Sequence, residues 1–326
     1  MSNKDNHRQS RAERRAANEA AAKAAAERAA KERRQQTIIG ACVLAVIVVL
    51  IAVIALSIWQ PWKNSKSSEN SNASNLTVQQ AYDQLQKVKN KPTTADAKGG
   101  ILLSKNGVGK KANGAPTVAI YMDFMCSGCG SFNRLVDPTL EKMLDAGQLN
   151  IELHPMSFGD RWSSDNYSTR AANMLLYITE HDDDPAHILG FISNMYADDF
   201  QPAENSGVAT SDAQMKKQAT KAGVSQKVAD AAVTDKYTAW LDAIDTYTPK
   251  RSDLWNTSGD LKGQMTTPTI TINGKFWDMN QSQSVYSDTK SGLLAALGID
   301  ENKVGVAGTM PSIGENGKPI AVSANK

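Results

Sequence analysis

Hydrophobic residues follow three patterns along this chain, and each pattern predicts a different kind of structure. One run, from Ile38 to Trp59, is apolar without interruption and contains no charged residue. As a helix it would span roughly 33 Å, because each residue rises about 1.5 Å, and a bilayer core is about 30 Å thick. Elsewhere, short β-branched and aromatic runs predict strands, whereas apolar residues that recur every three or four positions predict amphipathic helices. The sequence therefore predicts one transmembrane helix ahead of a mixed α/β domain.

A strand, a helix and a second strand follow one another in the first half of this domain. Pro116 to Met125 is β-branched and aromatic, which predicts a buried strand, and Asn150 to Ser157 predicts the next one. The residues between them have helical periodicity as far as Ala146. Pro138 lies inside this pattern and predicts a kink, because proline lacks the backbone donor. Further upstream, the apolar spacing from Thr77 to Lys89 predicts a short helix.

A long helical stretch separates these elements from the last strands. Apolar residues recur at helical spacing from about residue 158 to 260. The clearest set consists of Ile188, Phe191, Ile192 and Met195. Strand character returns from Thr267 to Ile272, and the following Asn273-Gly274 favours a two-residue hairpin turn, in which both positions need a positive φ. Ser287 to Leu297 predicts a closing helix.

The charges around the apolar run predict how the chain is placed in a membrane. Residues 1–36 contain ten Lys or Arg against five Asp or Glu, whereas few basic residues follow the run. Since basic residues stay on the cytoplasmic side, we expect a cytoplasmic N-terminus and an extracytoplasmic domain. A cleaved signal peptide is the minority interpretation, because no clear cleavage site follows. The expected segments are a cytoplasmic basic tail at 1–37, an uncleaved anchor at 38–59, a polar linker at 60–76, a domain at 77–300 and a C-terminal tail at 301–326.

Composition narrows the class of protein. The formal net charge of +2 is too small to indicate a nucleic acid as a partner. The three cysteines, Cys42, Cys126 and Cys129, are too few for a disulfide-stapled scaffold, so a hydrophobic core must hold the domain together. Cys42 lies in the predicted anchor, where cysteine behaves as a small hydrophobic residue.

The segment Cys126-Ser127-Gly128-Cys129 suggests redox chemistry, and three alternatives compete with that interpretation. Zinc needs four ligands, and the sequence offers neither a second cysteine pair nor a histidine at ligand spacing. A c-type haem needs a histidine directly after the second cysteine, where Gly130 stands. A structural disulfide is the serious alternative, although a loop this small stabilises a fold little. We therefore favour a redox pair and expect no metal or organic cofactor.

The place of this motif between a strand and a helix predicts different roles for its two cysteines. Cys126 is expected at the helix N-terminus, where free backbone N–H groups and the helix dipole stabilise a thiolate. Cys129 is expected one turn further in, more buried but within disulfide distance. Cys126 would then exchange with substrate, and Cys129 would resolve the mixed disulfide. Two roles are open for Asp123: it assists proton transfer from Cys129, or it bonds only to water or backbone.

Several segments resemble the DsbA-like branch of the thioredoxin superfamily, including its membrane-anchored actinobacterial members. They are Asp123 to Cys129, Arg161 to Ala172, Thr267-Pro268-Thr269 and Ile272 to Lys275. The resemblance implies a thioredoxin-like fold with a helical domain inserted at about 158–260. It also implies a cis Pro268 beside the cysteines and a substrate contact from the backbone of Thr267. Ser127-Gly128 departs from the Pro-His of the strongest oxidants in that family, which leaves the redox potential open.

Together these features predict a membrane-anchored, extracytoplasmic thiol:disulfide oxidoreductase, most simply an oxidase that forms disulfides in exported proteins. Its expected partners are the thiols and disulfides of exported proteins, the lipid bilayer and a membrane redox partner that recycles the cysteine pair. A reductase or isomerase with the same site is one alternative. Another is a tethered peptide-binding or chaperone module whose disulfide is structural. The redox potential of the cysteine pair discriminates between them.

Overall fold

The central element of the domain is a mixed sheet of six strands, seen in a computed structural model that describes residues 75–321. The strands are β1 (Ile101–Ser104), β2 (Gly107–Val108), β3 (Thr117–Asp123), β4 (Asn150–Met156), β5 (Thr269–Ile272) and β6 (Lys275–Phe276). Their order in space is β2-β1-β4-β3-β5-β6. Strand β3 pairs in parallel with β4 and antiparallel with β5, which places it inside the sheet. Its burial explains the nearly continuous run of apolar residues.

Two helices complete the first half of the fold, and the second of them contains most of the Cys126–Cys129 motif. Helix α1 spans Val78–Lys87, and helix α2 spans Ser127–Asp145 and connects β3 to β4. The predicted strand–helix–strand order is therefore confirmed, with boundaries that differ by only a few residues. Pro138 lies inside α2, and the helix continues on both sides of it. Because β3 leads directly into α2, the end of this strand determines where the helix N-terminus lies.

Five α-helices and three short 3₁₀ helices lie between β4 and β5, in the region where the sequence predicts helical structure. The α-helices are α3 (Tyr167–His181), α4 (Pro185–Met195), α5 (Asp212–Lys221), α6 (Gln226–Ala231) and α7 (Thr238–Tyr247). The predicted apolar face of α4 is buried, and none of its four residues is more than 1% exposed. Helices α5 and α6 begin after Ser211 and Ser225, whose side chains accept the backbone N–H of Gln214 and Val228. Such serine caps stabilise a helix start by about 1 kcal/mol.

The end of the domain contains the predicted hairpin and the predicted closing helix. Strands β5 and β6 are joined at Asn273 and Gly274, whose φ angles are 48° and 70°. Both values are positive, as the two-residue turn requires. Helix α8 (Met279–Gln283) follows, and helix α9 (Thr289–Leu297) then packs against α2. The sequence predicts α9 but not α8, which has only five residues.

The segment that the sequence separates as a C-terminal tail, 301–326, contacts the domain as far as it is described. The side-chain amide of Gln148 donates to the carbonyl oxygens of Lys303, Val306 and Thr309 at 2.8 to 3.2 Å. Asn273 donates to two further carbonyl oxygens of the segment, at Gly314 and Gly317. These bonds connect the segment to the start of β4 and to the hairpin, so the folded unit extends beyond residue 300.

The predicted membrane anchor lies outside the described residues. The same holds for the basic tail at 1–37 and for nearly all of the linker at 60–76. Between residues 75 and 321, none of the helices combines the length and the apolar character that crossing a bilayer requires.

Candidate active site

Cys126 and Cys129 are both free thiols and lie at the junction between β3 and α2. Cys126 is the residue before the first turn of α2, and its side chain does not cap the helix. Its sulfur is close to the chain before β5, where Sγ donates to the carbonyl oxygen of Thr267 at 3.3 Å. Cys126 is 7% exposed and Cys129 is 2% exposed. The structure thus brings the cysteine pair and the Thr267-Pro268 segment together, as the resemblance to DsbA-like proteins implies.

The two thiols differ in acidity. A hydrogen bond from the Cys129 side chain lowers the pKa of Cys126, and this effect outweighs the opposing effect of burial. Burial raises the pKa of Cys129, and the neighbouring Cys126 raises it further. Since the thiolate is the reactive form, Cys126 is the better nucleophile and the better leaving group. The raised pKa of Cys129 favours its protonated thiol form.

The segment before β5 approaches the motif closely. The bond between Thr267 and Pro268 is cis, as the resemblance implies. A Cβ atom on Gly128 would lie 3.3 Å from Cδ of Pro268 and 3.7 Å from Sγ of Cys126. The first distance is tighter than ordinary van der Waals contact, so glycine at position 128 allows the proline to lie against the motif. Ser127 and Gly128 themselves are exposed.

Asp123 is fully buried at the end of β3. Its carboxyl accepts the backbone N–H of Met125 at 2.9 Å and of Gly159 at 2.7 Å, and it also accepts the hydroxyl of Ser168. Burial raises its pKa to about 6. Its backbone N–H donates to the sulfur of Cys129 at 3.5 Å, and its negative charge contributes to raising the pKa of that thiol. Of the two roles open for Asp123, the bonding to backbone is therefore visible, and proton transfer from Cys129 stays a prediction.

Three residues of the site were not identified from the sequence, and all belong to the end of α4 and the loop after it. The Tyr196 hydroxyl donates to the carbonyl oxygen of Asp123 at 2.9 Å. The Gln201 amide donates to the carbonyl oxygens of Phe124 and Cys126, both at 3.0 Å. Glu204 accepts the backbone N–H of Ser127 at 2.9 Å. They lie 67 to 78 residues from the two cysteines in sequence, and no local pattern distinguishes them.

The Glu204 carboxylate accepts the backbone N–H of Ser127, which is the first N–H group of α2. The Cys126 thiolate also depends on this positive end of the helix, so the two negative groups compete for it. Glu204→Gln keeps an oxygen that can accept the N–H group but removes the charge. We expect the pKa of Cys126 to fall and the equilibrium with glutathione to shift about two- to fivefold towards the reduced pair. This range corresponds to the roughly 0.3 to 1 kcal/mol that a single charge contributes at a helix terminus.

A pH titration of thiolate absorbance measures this change. Glu315→Gln is the matched control, because Glu315 also accepts a backbone N–H, that of Gly114 at 3.1 Å, but bonds to neither cysteine nor motif. An unchanged or raised Cys126 pKa in Glu204→Gln would show that this carboxylate does not influence the thiolate.

Side chains that could hold a metal ion are not grouped at this site. Throughout residues 75–321, no cluster of three or more His, Cys, Asp or Glu side chains has a suitable arrangement.

A family model described as thioredoxin matches residues 108–289 of the chain. Among curated proteins, the serine/threonine-protein kinase PknE of Mycobacterium tuberculosis is 32% identical over 117 residues, which are 35% of this chain and 20% of that protein. PknE of Mycobacterium bovis matches with the same values. This chain thus matches only a fifth of the length of these relatives.

Solved structures with a similar fold include two from actinobacteria. The oxidised DsbA of Mycobacterium tuberculosis is 24% identical, with a TM-score of 0.45, and the match covers 55% of this chain and 85% of that one. MdbA, a thiol-disulfide oxidoreductase from Actinomyces oris, is 18% identical with a TM-score of 0.47, covering 65% of this chain and 92% of that one.

Family membership follows from the family model, which covers more than half of the chain. Its match includes β3, the cysteine motif, the helices between β4 and β5, and the segment at Thr267 and Pro268. The mixed α/β sheet with a cysteine pair at the end of an inner strand agrees with this match. The resemblance to the thioredoxin superfamily is confirmed, and the chain belongs to the thioredoxin family.

Proposed function

We propose that this protein is a thiol:disulfide oxidoreductase of the DsbA type that acts through Cys126 and Cys129. The observation that carries the proposal is the unequal acidity of two adjacent thiols, one at a helix N-terminus and one buried. A purely structural disulfide needs no such difference. The Thr267 carbonyl oxygen lies beside Sγ of Cys126, and we propose that the backbone of this segment contacts the substrate chain.

The reaction follows from these positions. In the oxidising direction, a substrate thiolate attacks Sγ of Cys126 in the Cys126–Cys129 disulfide. That disulfide breaks, a mixed disulfide forms between substrate and Cys126, and Cys129 leaves as a thiolate that takes up a proton. A second substrate thiolate then attacks the substrate sulfur and releases Cys126 as a thiolate. Two electrons pass from the substrate to the cysteine pair.

The net direction proposed here is oxidation of exported proteins. The lowered pKa of Cys126 supports it, because a stabilised thiolate favours reduction of the pair and makes its disulfide a stronger oxidant. Ser127-Gly128 supplies no imidazole for the thiolate, so we expect a weaker oxidant than family members with Pro-His. A membrane redox partner would return the reduced pair to the disulfide.

Equilibration with glutathione buffers tests the function. A potential near about −120 mV indicates an oxidant, one near about −270 mV a reductant, and one below about −300 mV an inert structural bridge. The last result would reject the oxidoreductase proposal and favour the tethered binding module.

Membrane anchoring is the second part of this proposal. It is supported by the apolar run Ile38 to Trp59 and by the excess of basic residues before it. We propose a single-pass protein with a cytoplasmic N-terminus and an extracytoplasmic catalytic domain. Protease added to protoplasts should then degrade the domain and spare the basic tail. A protected domain would contradict this placement.

A further inference from the structure

The loop after α4 brings a charged side chain against the exposed part of the cysteine motif. The Glu204 carboxylate accepts the backbone N–H of Ser127 at 2.9 Å, and Ser127 directly follows Cys126 in the chain. Gln201 holds the same loop against the motif through its bonds to the carbonyl oxygens of Phe124 and Cys126. Glu204 is partly exposed and Ser127 is exposed. A substrate chain that reaches Cys126 therefore meets a negative charge beside it.

The charge of Glu204 is not balanced by a basic side chain in the described part of the chain, where it forms no ion pair. Two arginines of neighbouring elements are engaged elsewhere. Arg134 on α2 pairs with Asp198 at 2.9 Å, and the guanidinium of Arg161 lies over the Trp162 ring, 4.2 Å from its centroid. The helix N-terminus that Glu204 contacts supplies only about half a positive charge, so a negative charge is left over.

The segment on the other side of the reactive sulfur is uncharged. Sγ of Cys126 bonds to the carbonyl oxygen of Thr267, and residues 264–274 around that bond include no acidic or basic residue. Asp123 is 0% exposed, so a substrate chain does not contact its carboxyl. A substrate beside Cys126 thus lies between an uncharged segment and the Glu204 carboxylate.

We propose that Glu204 determines substrate specificity by favouring cysteines that have lysine or arginine beside them and disfavouring those beside aspartate or glutamate. The inference rests on the proposed oxidoreductase function and names a substrate class for its site. Consecutive Cα atoms are about 3.8 Å apart, so the neighbours of a substrate cysteine bonded to Cys126 come within a side chain's length of Glu204. At that range an opposite charge attracts and a like charge repels.

The charge acts on the first covalent step of substrate oxidation. The substrate thiolate attacks Sγ of Cys126, a mixed disulfide forms, and Cys129 leaves as a thiolate that takes up a proton. A basic neighbour also stabilises the attacking thiolate, because an opposite charge lowers the pKa of the substrate thiol. That second effect belongs to the substrate and is the same for every variant of this protein. The part that depends on Glu204 is therefore the diagnostic one.

Two peptides that differ only beside their single cysteine test the proposal. One has lysine on both sides of the cysteine and the other has glutamate. The oxidised full-length protein in an uncharged detergent is mixed with an excess of either peptide, and loss of the Cys126–Cys129 disulfide is followed by alkylation and mass spectrometry. The measured quantity is the rate with the lysine peptide divided by the rate with the glutamate peptide.

Glu204→Gln is expected to reduce this ratio about three- to tenfold, the combined effect of losing one exposed attraction and one exposed repulsion. Glu204→Lys should reduce it further, because the charge is reversed. In about 1 M salt, where the Debye length is about 3 Å, the wild-type ratio should approach that of Glu204→Gln.

The ratio separates specificity from a general change in reactivity. A lower pKa of Cys126 in Glu204→Gln alters the rates with both peptides alike, so it cancels. Glu315→Gln is the matched control, because it removes a carboxylate that accepts a backbone N–H away from the motif, and it should keep the wild-type ratio.

The failure of the inference and the failure of the proposed function give different results. If the wild-type protein oxidises the peptides but its ratio equals those of Glu204→Gln and Glu204→Lys, Glu204 does not select substrates and this inference is wrong. If neither peptide opens the Cys126–Cys129 disulfide of the wild-type protein, the proposed function fails, and this inference fails with it.

Discussion

Cys129→Ser is expected to accumulate covalent complexes with substrate proteins, and Cys126→Ser is expected to form almost none. In the proposed mechanism Cys126, whose pKa is lowered, forms the mixed disulfide, and Cys129, whose pKa is raised, resolves it. Both variants should lose more than about a hundredfold in turnover, because each lacks one of the two covalent steps. Non-reducing gels and a thiol-oxidation assay measure the two effects.

Cys42→Ser provides the control for these variants. It makes the same chemical change in the predicted anchor and should leave both turnover and complex formation unchanged. The oxidoreductase proposal would be refuted if both motif variants kept their activity and Cys126 titrated at or above the ordinary value of about 8.5.

The oxidised protein is expected to gain stability as the pH falls from 8 to 5, by on the order of a few kcal/mol. Burial raises the pKa of Asp123 to about 6 and those of Asp137 and Asp245 to about 7, from the ordinary value of 3.8 for an aspartate. A group whose pKa is raised by folding contributes its full stability below the unfolded value. That contribution is lost as the pH rises through the folded value, here between about 6 and 7.

Urea unfolding at a series of pH values checks this expectation, and the oxidised form is used because its cysteines do not titrate. Asp245→Asn should reduce the difference between pH 5 and pH 8, since one of the three groups no longer ionises. The exposed Asp145→Asn should leave the difference unchanged. Stability that is constant or increases with pH would contradict the assignment of these carboxyls as buried neutral groups.

The sheet and the helices were largely predictable because their signals are local. The β-branched run ending at Asp123 gives β3, and the positive φ values needed at Asn273 and Gly274 give the hairpin. Very short elements were missed because a periodic pattern needs several residues to become visible, and β2 has only two. The packing of the last residues depends on Gln148, which lies far from them in sequence.

The positions of the two cysteines at the start of α2, and the deeper burial of Cys129, were predictable because one short motif carries them. The contacts of Tyr196, Gln201 and Glu204 were not, since they depend on how a distant loop folds back onto the motif. Asp137 is an intermediate case. Its spacing of eight from Cys129, with Asn133 halfway, places three polar residues on a face that otherwise carries Phe132 and Leu140. That pattern was visible in the sequence, although its burial was not.

The bonds from Gln201 and Glu204 have a consequence for protein engineering. A shortened version that replaces the helices between β4 and β5 with a brief crossover would keep the sheet and both sulfurs. It would also leave the carbonyl oxygens of Phe124 and Cys126 without their amide donor, and the first N–H group of α2 without its carboxylate. Grafting the cysteine motif of this chain onto a smaller scaffold would therefore transfer its two sulfurs without the distant side chains that hydrogen-bond to the motif.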